Sequence, residues 1–352
     1  HGDLGGGLLQ GDSIVYLASD LAAPPQVQRA QDNNELSVQE KLDNVVAICE
    51  QKLEEIKGLA DLTCFERCPR KNARNIVDTR WVITWKNKVD PVTGKSKVVV
   101  KCRITVRGFK DRCVELETYA GTATRNGQRI VNSIVAQHED FVLFSFDISK
   151  AFAKGMTFEE LARLTGEPLR VVEFDLSPAD VLILRKVKGF ETFNPATETL
   201  RMLKAIYGLK DAPRAWRKRL HQVLYQWGLR QLHAEAELYC KHLAIDKPNR
   251  ASGALSDMVR TEAAASSDIQ QKVVAQKPVI RKLLCILSAH VDDLKGGAPK
   301  AVAEDLLRFL NKAFGDDCKS SWIEFVHTGI QHSQSKLGIY CHQFAYIDQL
   351  QL

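Results

Sequence analysis

The chain has 352 residues, of which 45% are hydrophobic and 26% charged, with a net charge of +6 at pH 7. This is the composition of an ordinary soluble globular protein, and the length allows two or three domains with a sizeable core. No run approaches the roughly 18 apolar residues of a membrane-spanning helix, and the opening HGDLGGGLLQGDS lacks the pattern of a secretory signal.

The mildly basic balance, with a pI near 8.8, permits a polyanionic partner without requiring one. The nine cysteines form no regular framework, and we interpret them as reduced intracellular thiols. Cys64 and Cys68, with the distant Cys240 and His242, come nearest to a zinc signature. A second pair at finger spacing is missing, so we predict no zinc site.

The first predicted elements follow a segment, 1–35, that is rich in Gly, Gln, Pro and Asp and is predicted to be poorly ordered. An amphipathic helix is predicted from Leu36 to Leu59. Its apolar face is predicted to contain Leu42, Val45, Val46, Cys49, Leu53 and Ile56.

Two β-branched, aromatic-rich strands are predicted next, joined by a turn at Asp90–Gly94. The triplet Gly94-Lys95-Ser96 suggests a phosphate-binding loop. That motif needs a glycine five residues before Gly94, where Val89 stands, so we reject it.

The middle of the chain predicts a helix around Gly127–Glu139, a strand in Phe141–Gly155, and a helix that starts near Asp211 and Pro213. The last helix places four apolar side chains on one face: Trp216, Leu220, Val223 and Trp227.

After a small, polar stretch at 246–280, interpreted as a surface insertion, another helix is predicted from the spacing of Val302, Leu306, Phe309 and Ala313. The end predicts a strand pair and a closing helix. Mixed helices and strands without regular alternation indicate an α+β fold.

Two apolar strands carry aspartate at their ends. Asp147 closes FVLFSFD, and Asp292 and Asp293 close ILSAHVDD. If these strands are neighbours in one sheet, the carboxylates converge, and hard oxygen ligands of this kind select Mg²⁺ or Mn²⁺. Two such ions serve nucleotidyl transfer. The alternative is a solvated turn, which we expect for Asp316–Asp317.

From about Arg80 onward the chain resembles the reverse transcriptase of Ty1/copia-type retrotransposons. Four blocks occur in the family's order: DISKAFAKG (147–155), LKAIYGLKDAPRAWRKRL (203–220), SAHVDDL (288–294) and VHTGIQHSQ…QFAYIDQL (326–350). The YGLK-APRAW match is long and specific, whereas V-D-D alone would be weak.

The resemblance implies a right-hand polymerase architecture, with fingers, palm and a partial thumb, and an antiparallel palm sheet covered by helices. It divides the chain into a poorly ordered segment (1–35), a helical segment (36–70), fingers-like strands (71–130), a palm (131–325) with insertions at 156–187 and 246–280, and the palm end or the start of a thumb or connection (326–352).

The family's catalytic and metal-binding aspartates correspond to Asp147, Asp292 and Asp293, which would hold two Mg²⁺ ions, or Mn²⁺. Ile148 would offer its backbone carbonyl to the first ion. Phe152 falls at the aromatic steric gate that favours deoxynucleotides, although a core position would equally explain an aromatic residue there.

The resemblance also implies residues that bind the nucleotide. Lys101 and Arg103 are candidates for gripping the triphosphate, with a solvated strand edge as the alternative. Tyr207, Gly208 and Lys210 match positions that contact template or nucleotide.

Nucleic-acid contacts are implied for Arg129, which matches an arginine before the palm helix, and for His290, near the primer end. Arg214, Lys218 and Arg219 are further candidates for phosphate contacts. For these last three, a basic exposed helix face is the alternative.

Two residues depart from the family pattern. His290 replaces the usual Tyr or Phe and keeps a planar ring with altered polarity. Asp211 replaces the usual Gln, which adds negative charge beside the template path or caps the helix.

The sequence therefore predicts an RNA-directed DNA polymerase domain that joins dNTPs to a primer 3′-hydroxyl on an RNA or DNA template. Its expected location is intracellular, in a cytoplasmic particle or the nucleus, and the family's RNase H and integrase segments are not recognised in this chain. The alternative is a catalytically inactive, nucleic-acid-binding remnant. A phosphotransferase of another type ranks last, because no nucleotide-cradling glycine loop is found.

Overall fold

Four of the described helices begin after a residue whose side chain satisfies a free N–H group of the first turn. Ser37, Thr124, Thr157 and Ser177 each accept a hydrogen bond from the backbone N–H three residues later. In the computed structural model, the described residues are 35–89, 96–113, 115–243, 282–316 and 318–347.

The α-helices are α1 Val38–Asp43, α2 Val45–Asp61, α3 Arg125–Gln137, α4 Phe158–Thr165, α5 Pro178–Leu184, α6 Ala212–Trp227, α7 Lys300–Phe314 and α8 Phe344–Ile347. The strands are β1 Phe65–Pro69, β2 Ile76–Val89, β3 Ser96–Val106, β4 Phe141–Ile148, β5 Glu173–Asp175, β6 Glu198–Met202, β7 Arg230–Gln231, β8 Leu238–His242, β9 Leu283–His290, β10 Asp293–Pro299, β11 Cys318–Trp322, β12 Glu324–His327, β13 Ile330–Ser335 and β14 Gly338–His342.

The chain divides into two compact units, of which the first comprises residues up to Lys52 together with Trp81–Arg103. Its described interior is small and apolar, and consists of Leu36, Ile48, Ile83, Val100 and Cys102. Burial alternates along β3 from Val100 to Ile104, as a strand with one covered face requires.

The second unit comprises Leu53–Arg80 and the chain from Ile104 onward. Of the sheet with the strand order β1-β6-β5-β2-β3, this unit contains β1, β6, β5 and the start of β2, and β2 joins β5 in parallel through Ile76–Asp78. A six-stranded sheet has the order β11-β4-β10-β9-β8-β7, and its pairs are antiparallel.

Apolar side chains cover both faces of the six-stranded sheet. On one face, Phe144, Phe146 and Ile148 of β4 belong to a core with α6 and α7. On the other, Phe141 and Leu143 pack with α3. Successive residues of β4 alternate between the two faces, because a strand has a two-residue period. Asp147 therefore lies on the same face as Phe141 and Leu143.

The predicted α+β fold class is confirmed, because helices and several sheets are mixed along the chain. Among the described residues, none of the helices combines the length and apolar character that crossing a bilayer requires. The predictions for 1–34, for the turn at Asp90–Gly94 and for the insertion at 246–280 lie outside the described residues.

The apolar face predicted for the first helix is wrong in part. The helix breaks at Asn44, and Leu42, Val45 and Val46 are exposed, whereas Ile48 and Leu59 are buried. The apolar residues span more than one face, and tertiary packing selects among them. The chain end forms the three strands β12, β13 and β14 rather than a strand pair.

Candidate functional site

One row of cross-strand neighbours carries the acidic residues that the sequence singled out. Asp147 of β4 lies directly opposite Asp293 of β10. Asp293 also lies opposite His290 of β9, and Asp147 lies opposite Lys319 of β11. Directly opposite side chains share a face of the sheet, with Cβ atoms about 4.5–5.5 Å apart. We call Lys319, Asp147, Asp293 and His290 the acidic row.

The turn between β9 and β10 consists of Val291 and Asp292 and carries the third aspartate. Val291 has φ 57°, a left-handed conformation that β-branched residues rarely adopt and that costs about 1–3 kcal/mol. The Ile148 N–H donates to the Asp292 carbonyl at 3.2 Å, and the Trp216 indole N–H donates to the Val291 carbonyl at 2.7 Å. Both carbonyl groups of this turn are therefore satisfied.

Burial and neighbouring like charges both act on Asp293 of the acidic row. Burial, followed by the neighbouring charges of Asp292 and Asp147, raises the pKa of Asp293 to about 6. The Lys319 ammonium lies 3.6 Å from an Asp147 carboxylate oxygen, but these side chains are 66% and 40% exposed. An ion pair so exposed offsets little of the repulsion.

The donor chemistry of the three aspartates fits a hard divalent cation such as Mg²⁺, because carboxylate oxygens are its preferred protein ligands. Within the described ranges, no three His, Cys, Asp or Glu side chains are already arranged to hold one ion. The carboxylates of Asp147 and Asp293 are therefore adjacent in register without forming a finished cage.

A second polar group lies behind the acidic row, and no sequence motif indicates it. Lys295 follows Asp293 by two residues, so it projects from the same face of β10, yet it is 1% exposed. Its ammonium donates to the Gln128 carbonyl at 3.0 Å and lies 3.2 Å from His332 Nε2. We call Lys295, His327 and His332 the buried basic cluster.

Burial sets the protonation of this cluster. It lowers the pKa of Lys295 to about 8. Burial and the charge of Lys295 lower the pKa of His327 to about 3 and that of His332 to about 4. At neutral pH both imidazoles are therefore uncharged, which leaves His332 able to accept a hydrogen bond from Lys295.

The predicted nucleotide-binding residues Phe152 and Tyr207 are brought together. Their rings make an edge contact with 5.3 Å between centroids, and Phe152 also packs against the core under β4. Both explanations of this aromatic therefore stay open.

The backbone conformation at position 208, beside Tyr207, requires glycine. Gly208 has φ 97°, and an added Cβ would lie 2.0 Å from the Val106 carbonyl oxygen. Lys210, close by in the chain, is exposed. The contacts of Gly208 and Lys210 with template or nucleotide stay predictions.

Lys101 and Arg103 belong to the first unit and lie on β3. They alternate with the buried Val100, Cys102 and Ile104, so they lie on the outer face of the strand, with Arg103 exposed. Their predicted contact with a triphosphate stays a prediction.

The predicted nucleic-acid-binding residues separate by exposure. Arg129 is exposed on α3, whereas Lys218 and Arg219 are half-buried on α6. His290 lies in the acidic row, and its Nδ1 is buried without a hydrogen-bond partner within the described part of the chain.

Arg214 does not lie on an exposed helix face. Its side chain is 8% exposed and makes a bidentate pair with Glu167, with hydrogen bonds of 2.8 and 2.6 Å. The segment between α4 and β5 covers Arg214, which lies in the first turn of α6. Glu167 of that segment already binds its guanidinium.

Asp211 occupies the N-cap position of α6, but its side chain makes no capping hydrogen bond. Its carboxylate instead lies 2.7 Å from Nε of Arg170, and both side chains are more than nine-tenths buried. Arg170 also pairs with Asp111 at 2.6 Å. Asp211, where the resemblance predicts Gln, therefore has a basic partner in the predicted insertion at 156–187.

The sequence does not indicate Lys319, the buried basic cluster of Lys295, His327 and His332, or the role of Trp216 as a hydrogen-bond donor. Trp216 was identified only as part of an apolar helix face, and the two lysines have no periodic signal that would mark them. A scan against protein-family models finds no match for this chain.

Proposed function

We propose that this chain is an RNA-directed DNA polymerase domain of the Ty1/copia type, which joins dNTPs to the 3′-hydroxyl of a primer. One observation carries the proposal. Asp147 and Asp293 lie directly opposite each other on neighbouring strands, with Asp292 in the adjoining turn. Like charges in that position destabilise a sheet, so a cation that neutralises them supplies a reason for the arrangement.

Asp147, Asp292 and Asp293 would hold Mg²⁺ or Mn²⁺ through carboxylate oxygens. When bound, two such ions supply charge stabilisation for the attacking hydroxyl and for the leaving pyrophosphate. The pKa of Asp293, raised to about 6 by burial and then by the charges of Asp292 and Asp147, is consistent with this assignment, because a bound cation would favour the ionised carboxylate.

The remaining residues of the chain would bind and orient the substrates. The half-buried ring of Phe152, which contacts Tyr207, would exclude a ribose 2′-hydroxyl. His290, opposite Asp293, would contact the primer end through its planar ring. Arg129, exposed on α3, would meet nucleic-acid phosphate.

The six-stranded antiparallel sheet with helices on both faces would be the palm of a right-hand polymerase. Support comes from the position of the aspartates at one end of β4 and β10, where the hairpin turn leaves them accessible. The proposed partners are an RNA or DNA template-primer duplex and dNTPs, with RNase H and integrase activities supplied by other segments of a polyprotein.

Primer extension with Mg²⁺ tests this function. The wild-type protein is expected to extend a template-primer, and Asp292→Asn is expected to abolish extension while template-primer binding persists. Asp140→Asn is the matched control, because Asp140 is a 52% exposed aspartate outside the acidic row. Equal extension by wild type and Asp292→Asn would contradict the proposal.

A second candidate is a nucleic-acid-binding protein of the same fold without polymerase activity. The Lys319 ammonium, 3.6 Å from an Asp147 carboxylate oxygen, favours it. Salt-sensitive binding of a template-primer, with no extension by the wild type in Mg²⁺ or Mn²⁺, would select this candidate.

A further inference from the structure

The turn at Val291–Asp292 has a backbone conformation that its sequence does not favour. Val291 has φ 57°, where glycine or asparagine is usual. Such a conformation persists only when surrounding contacts hold it. The two residues after Val291 are the aspartates proposed to hold the metal, so whatever holds the turn also places their carboxylates.

The contact that holds Val291 comes from a helix on the far face of the sheet. Trp216 of α6 is 1% exposed and donates its indole N–H to the Val291 carbonyl at 2.7 Å. Phe314 packs against the indole with 5.1 Å between ring centroids, which restricts its orientation. A buried donor of fixed orientation determines where the carbonyl group of Val291 points.

The other end of the turn is bound to the strand that carries Asp147. The Ile148 N–H donates to the Asp292 carbonyl at 3.2 Å. Because both carbonyl groups of the turn are fixed, the backbone on either side of Asp292 has little freedom to rotate. A divalent cation with carboxylate ligands at about 2.0–2.1 Å depends on that restriction.

We propose that Trp216 is a positioning residue: its indole N–H holds the strained Val291 turn and so places the carboxylates of Asp292 and Asp293. The consequence of this inference for metal binding rests on the proposed function. It predicts that the N–H group of Trp216, rather than the bulk of its ring, determines affinity for a divalent ion.

The same helix offers a matched control. Trp227 of α6 is also buried, and it donates its indole N–H to an Asp305 carboxylate oxygen at 2.9 Å. Asp305 lies outside the acidic row. Trp216→Phe and Trp227→Phe therefore each remove one indole donor and leave an aromatic ring, and only the first removes a contact with the turn.

The first experiment measures Mn²⁺ binding by the full chain, by electron paramagnetic resonance without nucleotide. Trp216→Phe is expected to weaken Mn²⁺ binding at least about tenfold relative to Trp227→Phe, which is the usual effect of losing a group that orients a metal ligand. Val291→Gly is expected to restore part of the affinity of Trp216→Phe, because glycine takes a positive φ without strain.

The second experiment measures hydrogen exchange of the Ile148 amide in metal-free buffer. Trp216→Phe is expected to accelerate this exchange at least about tenfold, because the acceptor of that amide is in the turn, and Trp227→Phe is expected to leave it unchanged. Equal exchange in the two variants would overturn the positioning role.

The two readouts separate the possible failures. Wild-type protein that binds no Mn²⁺ would remove the proposed function, while the exchange rates would still decide the role of Trp216. Mn²⁺ affinities that are equal in both Phe variants and wild type would overturn the positioning role and leave the proposed function standing.

Discussion

The acidic row and Lys295 of the buried basic cluster lie on the same face of the six-stranded sheet but differ in how their charge is neutralised. The acidic row gathers carboxylates at the ends of β4 and β10, where the pKa of Asp293 rises to about 6. Two residues further along β10, Lys295 is buried, and its ammonium donates hydrogen bonds to two neutral acceptors, the Gln128 carbonyl and His332 Nε2. The buried basic cluster satisfies its charge within the protein, whereas we propose that an external cation neutralises the acidic row. The two groups also differ in exposure: the Asp147 side chain is 40% exposed, whereas Lys295 is 1% exposed.

The largest expected effect breaks the acidic row. Asp147→Asn is expected to lower the rate of primer extension at least about 1000-fold, since metal ions contribute several kcal/mol of charge stabilisation in the transition state. The same change is expected to raise the free energy of unfolding by up to about 1 kcal/mol, because it removes a like charge opposite Asp293. Primer extension and urea unfolding in EDTA measure the two effects. A loss of stability without a loss of extension would show that Asp147 is structural.

The next prediction concerns the buried basic cluster and the dependence of the free energy of unfolding on pH. His327 and His332 have folded-state pKa values of about 3 and 4, below the usual 6.5, so the unfolded chain binds protons first as the pH falls. Their stabilising effect is present above pH 6.5 and is lost below it, at about 1.4 kcal/mol per pH unit for each histidine.

Urea unfolding of the wild type and of His332→Gln at pH 7, 6 and 5 checks this expectation. The variant keeps an acceptor for Lys295 but cannot titrate, so its stability is expected to fall less steeply with acid. His233→Gln, at an exposed position, is the control. Identical slopes for wild type and His332→Gln would contradict a neutral, buried imidazole.

A smaller effect separates the two groups by position along β10. An added Cβ at Gly297 would lie 2.0 Å from Val135 Cγ2 of α3, the helix that supplies the Gln128 carbonyl to Lys295. Gly297→Ala is expected to lower the free energy of unfolding by about 1–3 kcal/mol. Mn²⁺ affinity is expected to stay unchanged, because the acidic row lies at the other end of the strand.

Val135→Ala in the Gly297→Ala background makes room for the new methyl group and is expected to recover part of the loss in urea unfolding. Reduced Mn²⁺ affinity in Gly297→Ala alone would show that the acidic row and α3 are mechanically linked.

The smallest effect concerns the ammonium group of Lys319, which belongs to the acidic row. Lys319→Met removes the ammonium near Asp147 and is expected to strengthen Mn²⁺ binding at most about fivefold, since a pair so exposed is worth roughly 0–1 kcal/mol. Mn²⁺ titrations at low and high salt check this, and the difference from wild type is expected to shrink at high salt. Weaker binding by the variant would assign Lys319 a supporting role.

The acidic ends of the apolar strands could be predicted because their signal is local: an apolar run followed by aspartate marks a strand end. The predicted neighbour of β4 is wrong, because the apolar strand β9 ends at His290, and β10, which starts at Asp293, lies between β9 and β4 and pairs with β4. The spacing of Trp216, Leu220 and Val223 likewise indicated the buried face of α6. These features depend on the periods of single elements.

The remainder depends on partners that are distant in the sequence. The pairing of Asp147 with Lys319 requires the register of β11, which no composition signal specifies. Arg214 is buried because Glu167 and its segment lie over it, and Asp211 because Arg170 does. A helical pattern assigns faces, but it cannot indicate which loop will cover a charged residue on one of them.

The strand order of the five-stranded sheet has a consequence for synthesis of the chain. β1 pairs with β6, and Arg67 forms a two-pronged ion pair with Glu198, 131 positions later. At a translation rate of about 5–20 residues per second, β1 leaves the ribosome on the order of 10 seconds before its partner strand exists. During that interval its backbone hydrogen-bonding groups are open to other strands. Pairing of β1 in this sheet therefore cannot be completed until the residues of β6 have been synthesised.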